Sequence, residues 1–129
     1  MSKKALIITD ETASILLVSH LLEEELKGFT TTICSAEKFA STAEELLASD
    51  VFFIGCDEPK PASFEYLEEM LSHINLASRK CSVFSVKENT LKYLSGILKD
   101  SEARLTEPFL ANGNVNKTSV KDWVKKVLK

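Results

Sequence analysis

The sequence predicts a three-layer α/β domain built on a doubly wound parallel sheet of five strands in the order 2-1-3-4-5. Three observations lead there. Short apolar or β-branched runs alternate along the chain with segments whose apolar residues recur at three- and four-residue spacing. Two of the runs, Ala5 to Ile8 and Val51 to Ile54, are continuously apolar, as expected of strands buried on both faces. Helical crossovers between successive strands force parallel pairing and right-handed connections. The order puts the first, third and fourth strands in the middle, where the strongest runs belong. The 129 residues suit one domain with one core, taken as residues 1–129.

The elements follow in turn. Ala5 to Ile8 is the first strand. Ser14 to Leu26 reads as a helix with a stripe of Ile15, Val18, Leu22 and Leu26, and Leu21 beside it. Thr12 or Ser14 is its expected cap, and Gly28 its expected stop. Thr30 to Cys34 is rich in β-branched residues and reads as the second strand. Ala36 to Leu47 is helical, with Phe39, Ala43, Leu46 and Leu47 as its inner face. Val51 to Ile54 is the third strand, followed by the loop Asp57-Glu58-Pro59-Lys60-Pro61. Phe64, Leu67, Leu71 and Ile74 mark the next helix, with Phe64 inward and Tyr66 on another face. Cys81 to Val86 is the fourth strand, and Leu91, Leu94, Ile97 and Leu98 mark a helix beginning near Glu88. A short fifth strand lies in the segment 103–109. Ala111 to Asn116 reads as a loop with turn character. Last comes a helix capped by Ser119, with Val120, Trp123, Val124 and Val127 facing inward.

Composition narrows function. The chain is 44% apolar and 27% charged, as ordinary globular proteins are. A net charge of -3 leaves no basic footprint for nucleic acid. No apolar run reaches the length of a membrane span, and the four-residue apolar run at the start is too short for a signal peptide. The expected location is the cytoplasm. Cys34, Cys56 and Cys81 lack metal-ligand or disulfide spacing and read as small buried hydrophobes. His20 and His73 have no metal partner at useful spacing, and no serine-elbow or Cys-His cue supports hydrolysis. Lys117, Lys121, Lys125, Lys126 and Lys129 crowd the end of the chain as a solubilising face or a docking patch for an acidic partner. On a sheet of this order ligands sit beyond the carboxyl ends of strands 1 and 3. That crevice is lined by Thr9 to Ser14, Cys56 to Pro61 and Ser85 to Asn89.

Residues 4–26 resemble the opening strand, phosphate loop and first helix of flavodoxin-like domains. The third strand ending in Gly55-Cys56, the basic lead-in Arg79-Lys80 to the fourth strand, and the closing helix with its tryptophan resemble the same family. The resemblance covers nearly the whole chain and implies the flavodoxin-like fold, with flavin mononucleotide (FMN) as the ligand of an electron carrier. The family's Ser/Thr-x-Thr-Gly-Asn-Thr phosphate loop corresponds to Asp10-Glu11-Thr12-Ala13-Ser14-Ile15. Only Thr12 keeps its type. Asp10 repels a phosphate and donates nothing to it, and Ala13 stands where glycine would allow left-handed backbone. The loops at Asp57 and Lys87 carry no aromatic ring. The reading therefore expects no cofactor, no catalytic constellation and a module for protein interaction or regulation. Its partner is another protein, with oligomeric state left open.

The alternative is an FMN-binding flavodoxin with an atypical site, using Thr12, Ser14, Asp57 and Ser85. Asp10, Glu11 and Asp57 together form a candidate set for Mg²⁺ or Ca²⁺. A second alternative is a degenerate two-component receiver, which the acidic pair after the first strand and the proline after the third resemble. In that alignment Gly55 falls at the phosphate-accepting aspartate and Glu107 at the lysine.

Overall fold

A computed structural model describes residues 3–36, 42–111 and 115–129, without the side chains of residues 42 and 43. The elements are β1 (Lys3–Thr9), α1 (Ala13–Glu25), β2 (Phe29–Ser35), α2 (Thr42–Ala48), β3 (Val51–Gly55), α3 (Glu65–Leu71), β4 (Lys80–Ser85), α4 (Glu88–Ile97), β5 (Arg104–Leu105), β6 (Phe109–Leu110) and α5 (Lys117–Leu128). The sheet runs β2-β1-β3-β4-β5, with β6 also on β4. Every described pairing is parallel. The sequence order 2-1-3-4-5 is therefore correct.

Alternation along the strands divides the core into two layers. Leu6, Ile8, Phe52 and Ile54 face one side with Leu46, Phe64, Leu67, Leu71 and Leu94. Ala5, Ile7, Val51 and Phe53 face the other with Ile15, Val18, Leu22, Val120, Trp123 and Val127. The stripes read from α1 and α5 are thus the buried ones. α1 ends at Glu25 with Leu26 as its C-cap, and the expected stop Gly28 lies two residues further on, turning the chain into β2 with a φ of 86°, a left-handed geometry in which glycine carries no Cβ penalty.

Four expectations change. The fifth strand arrives in two pieces. β4 advances from Cys81 to Phe84 while the neighbouring chain advances from Leu105 to Phe109, one residue more. The interruption is a bulge containing Pro108, which has no N–H for the ladder. Leu47 is 45% exposed, because its neighbour Leu46 takes the inward position and adjacent helical residues point about 100° apart. Ser119 does not cap α5. Asn116 does, accepting the Ser119 N–H, while Ser119 Oγ accepts the Asn116 N–H in return, a capping box. Ile74 lies beyond the end of α3 and is only half-buried. The expectations for Phe39, for the side chain of Ala43 and for residues 112–114 of the loop 111–116 fall outside what the structure describes.

Trp123 fastens α5 to the interrupted edge. Its indole N–H donates to Ser82 Oγ at 2.9 Å and to the Glu107 carbonyl at 3.0 Å. Its ring stacks on Phe109 at 4.7 Å and meets Phe53 and Phe84 edge-on. Buried polar groups freed by the bulge are thereby satisfied.

Candidate functional site

The carboxyl ends of β1, β3 and β4 bring together the three segments expected to line the crevice. After β1 the chain turns at Glu11, whose φ is 63°. The left-handed residue of this loop is thus Glu11. Ala13, expected at the glycine position of a phosphate loop, is the first residue of α1. Thr9 Oγ1 accepts the Glu11 N–H at 3.1 Å and helps hold the turn.

Asp10 is the centre of the loop. Its Oδ1 accepts the Thr12 N–H at 3.1 Å and the Thr12 hydroxyl at 2.7 Å. Its Oδ2 accepts the Asp57 N–H at 2.9 Å. One carboxylate so joins the tip of β1 to the loop after β3. Thr12 is the N-cap residue of α1 but makes no side-chain cap, since its hydroxyl donates to Asp10. Ser14 is exposed in the first helical turn.

The loops after β3 and β4 are tied to each other. The buried Ser85 hydroxyl donates to the Cys56 carbonyl at 2.7 Å and accepts the Lys87 N–H at 3.2 Å. The Thr90 hydroxyl donates to the Asp57 carbonyl at 3.0 Å. The Lys87 ammonium donates to Glu58 Oε1 and lies 3.9 Å from Asp57 Oδ1. The Glu58 hydrogen bond, helped by the charge of Asp57, raises the Lys87 pKa above the ordinary lysine value. Sequence reasoning named Ser85 and Asp57 but missed Thr90 and the role of Lys87 as the strap between loops. The available signal was a basic residue, Lys87, facing a loop that carries Asp57 and Glu58.

The structure thus brings Thr12, Asp10, Asp57 and Ser85 into one hydrogen-bonded rim and leaves Ser14 and Glu11 outward. Among the described residues no group of three or more His, Cys, Asp and Glu side chains is gathered for a metal ion. Cys56 is buried, and its thiol is pushed upward by desolvation first, then by Asp10, Asp57 and Glu58. It stays protonated and is a poor nucleophile. Gly55 sits under the Phe84 ring, where an added Cβ would lie 2.4 Å from Cε2. No described helix is long and apolar enough to cross a membrane.

This frame matches solved structures along nearly its full length. A flavodoxin from Streptococcus pneumoniae superposes with a TM-score of 0.81 at 10% identity, covering 98% of each chain. Oxidised flavodoxin 2 from Bacillus cereus gives 0.80 at 19% identity, covering 97% of each. A mutant Fusobacterium nucleatum flavodoxin bound to flavin mononucleotide gives 0.72 at 10% identity, with 99% of this chain and 96% of that one covered. The fold is flavodoxin-like. At these identities the likeness defines the fold alone. No protein-family model and no curated protein matches the sequence.

Proposed function

We infer that this flavodoxin-like domain acts as a protein-interaction or regulatory module without a competent flavin site. One observation carries the reading: the Asp10 carboxylate already takes the Thr12 N–H, the Thr12 hydroxyl and the Asp57 N–H. These are donors that an incoming phosphate would need, and Asp10 adds a like charge at the same point. The residues present fit FMN poorly in two further ways. Ser85, Lys87 and Thr90 strap the loop after β4 onto the loop after β3. Neither the segment 56–61 nor the segment 86–87 offers a ring to stack on a flavin.

The test is titration of the purified protein with FMN, followed by quenching of flavin fluorescence. No saturable binding in the micromolar range is expected. Saturable binding there, with protein-dependent quenching, overturns the reading and favours an electron carrier.

That electron-carrier alternative draws on the solved flavodoxins that share the fold, one of them bound to flavin mononucleotide. In it Thr12 and Ser14 would hold the phosphate after Asp10 releases Thr12, and the flavin would supply the redox chemistry. The receiver-like alternative draws less support. Any side chain at residue 55, the position of its acceptor, meets the Phe84 ring.

A further inference from the structure

We propose that the groove along the outer face of α3, closed on one side by the end of α2, docks a lysine- or arginine-rich amphipathic helix of a partner protein. The proposal rests on the reading of the domain as an interaction module and gives the chemistry of its partner. The groove is an open depression of about 360 Å³ lined by Leu47, Tyr66, Glu69, Met70, His73 and Ile74. Leu47 and Tyr66 are 45% and 53% exposed, large apolar side chains left open on α2 and α3. Their exposure follows from the helices themselves. Leu46 and Leu67, one residue along in each case, take the core positions.

The shape suits a helix. A second shallow depression, lined by Ala62, Ser63 and Glu65, shares Tyr66 and Glu69 with it. From Tyr66 to the helix end at Leu71 is about 8 Å at helical rise, and the turn after it carries His73 and Ile74 to the same groove, enough for anchors at successive i, i+3 and i+4 positions. It is open and shallow, so it accepts large side chains presented from outside and does not enclose a small molecule.

The charge chooses the partner. Glu44 lies three residues before Leu47 on the same face of α2, and Glu65 and Glu69 flank Tyr66 on α3. Neither helix contains a lysine or arginine. None of these three carboxylates has an ion-pair partner among the described residues. The basic groups at the groove are Arg79, whose guanidinium donates to the Leu47 carbonyl at the α2 end, and His73, which lines it. The α3 side is therefore the acidic one, and its carboxylates around an apolar floor attract a cationic rim around apolar anchors and repel an acidic one.

The test uses the full chain and a designed helical peptide with leucine on one face and lysine on the other. Its counterpart with glutamate replacing lysine is the control. Amide and side-chain NMR shifts are followed during titration. The lysine peptide is expected to shift Leu47, Tyr66, Met70 and Ile74, and the glutamate peptide to shift nothing. Tyr66→Ala with Met70→Ser is expected to weaken binding roughly tenfold or more. Glu65→Gln with Glu69→Gln is expected to weaken it and flatten its salt dependence, while Glu23→Gln with Glu24→Gln on α1 leaves it unchanged. Equal binding of both peptides, shifts confined to other faces, or no binding overturns the proposal. Concentration-dependent dimerisation that protects the same residues also overturns it, in favour of a second copy of this chain. FMN titration of the same samples separates the two readings. Tight flavin binding overturns the module reading, whereas a silent groove in flavin-free protein overturns the docking site alone.

Discussion

The Asp57 N–H donates to Asp10 Oδ2 at 2.9 Å, so a single carboxylate fixes the loop after β1 to the loop after β3. The same side chain orders Thr12 through Oδ1. Asp10→Ala removes three hydrogen bonds to a charged acceptor and leaves the Asp57 amide unpaired. A loss of about 1–3 kcal/mol is expected, and Asp10→Asn, which keeps one acceptor oxygen, loses less. Urea unfolding of the three proteins checks the order.

The turn itself suggests how to favour an anion there. Glu11 holds a left-handed φ of 63° and adds a second carboxylate beside Asp10. Asp10→Ser with Glu11→Gly removes both charges and relaxes the turn. Affinity for inorganic phosphate and FMN is expected to rise about tenfold or more, consistent with the loss of like-charge repulsion. Ala13→Gly alone is expected to raise neither, because Ala13 is already helical. Isothermal titration of each variant distinguishes them. Equal affinity in all of them would place the obstacle at the Lys87 strap.

Gly55 is required by space. Its missing Cβ leaves room for the Phe84 ring, which would otherwise approach to 2.4 Å. Gly55→Ala is expected to cost about 1–3 kcal/mol through overpacking. Adding Phe84→Leu should recover part of that loss if the clash is the cause. Denaturant midpoints of the single and double variants measure it.

The thiols set an alkaline limit. Burial pushes Cys81 from an ordinary 9.0 up to about 12, and burial with the charge of Glu45 does the same for Cys34. In the folded protein both stay protonated where the unfolded chain has ionised. The stability each contributes is complete below pH 9 and is lost as pH rises toward 12. A urea midpoint falling over that window is expected, with a shallower fall in Cys81→Ala. Thiol reagents at pH 8 should react slowly until the protein is unfolded.

Trp123 offers a last check. Trp123→Phe keeps most of the ring packing but removes the donor to Ser82 Oγ and the Glu107 carbonyl. A loss of about 1–3 kcal/mol is expected, with the largest increase in amide exchange at the broken edge near Glu107.

Sequence alone determined the frame. The apolar runs 5–8 and 51–54 placed two central strands, and the stripes of Ile15, Val18 and Leu22 and of Val120, Trp123 and Val127 placed two helices against the sheet. These are local patterns, written in periods of two and 3.6, and the right-handed crossover turns them into one strand order. It also placed Asp10 in the loop after the first strand, where the resemblance leads one to expect a hydroxyl donor. What Asp10 does there was decided only in three dimensions. Its partner amide belongs to Asp57, 47 residues away, and no period in the chain encodes that hydrogen bond. The same holds for the Lys87 strap to Glu58 and for the split of the last strand, whose extra residue is visible only against the register of β4. Leu46 and Leu47 are alike in sequence. Packing sends one into the core and leaves the other on a groove, because a helix can bury only one side of itself against a single sheet.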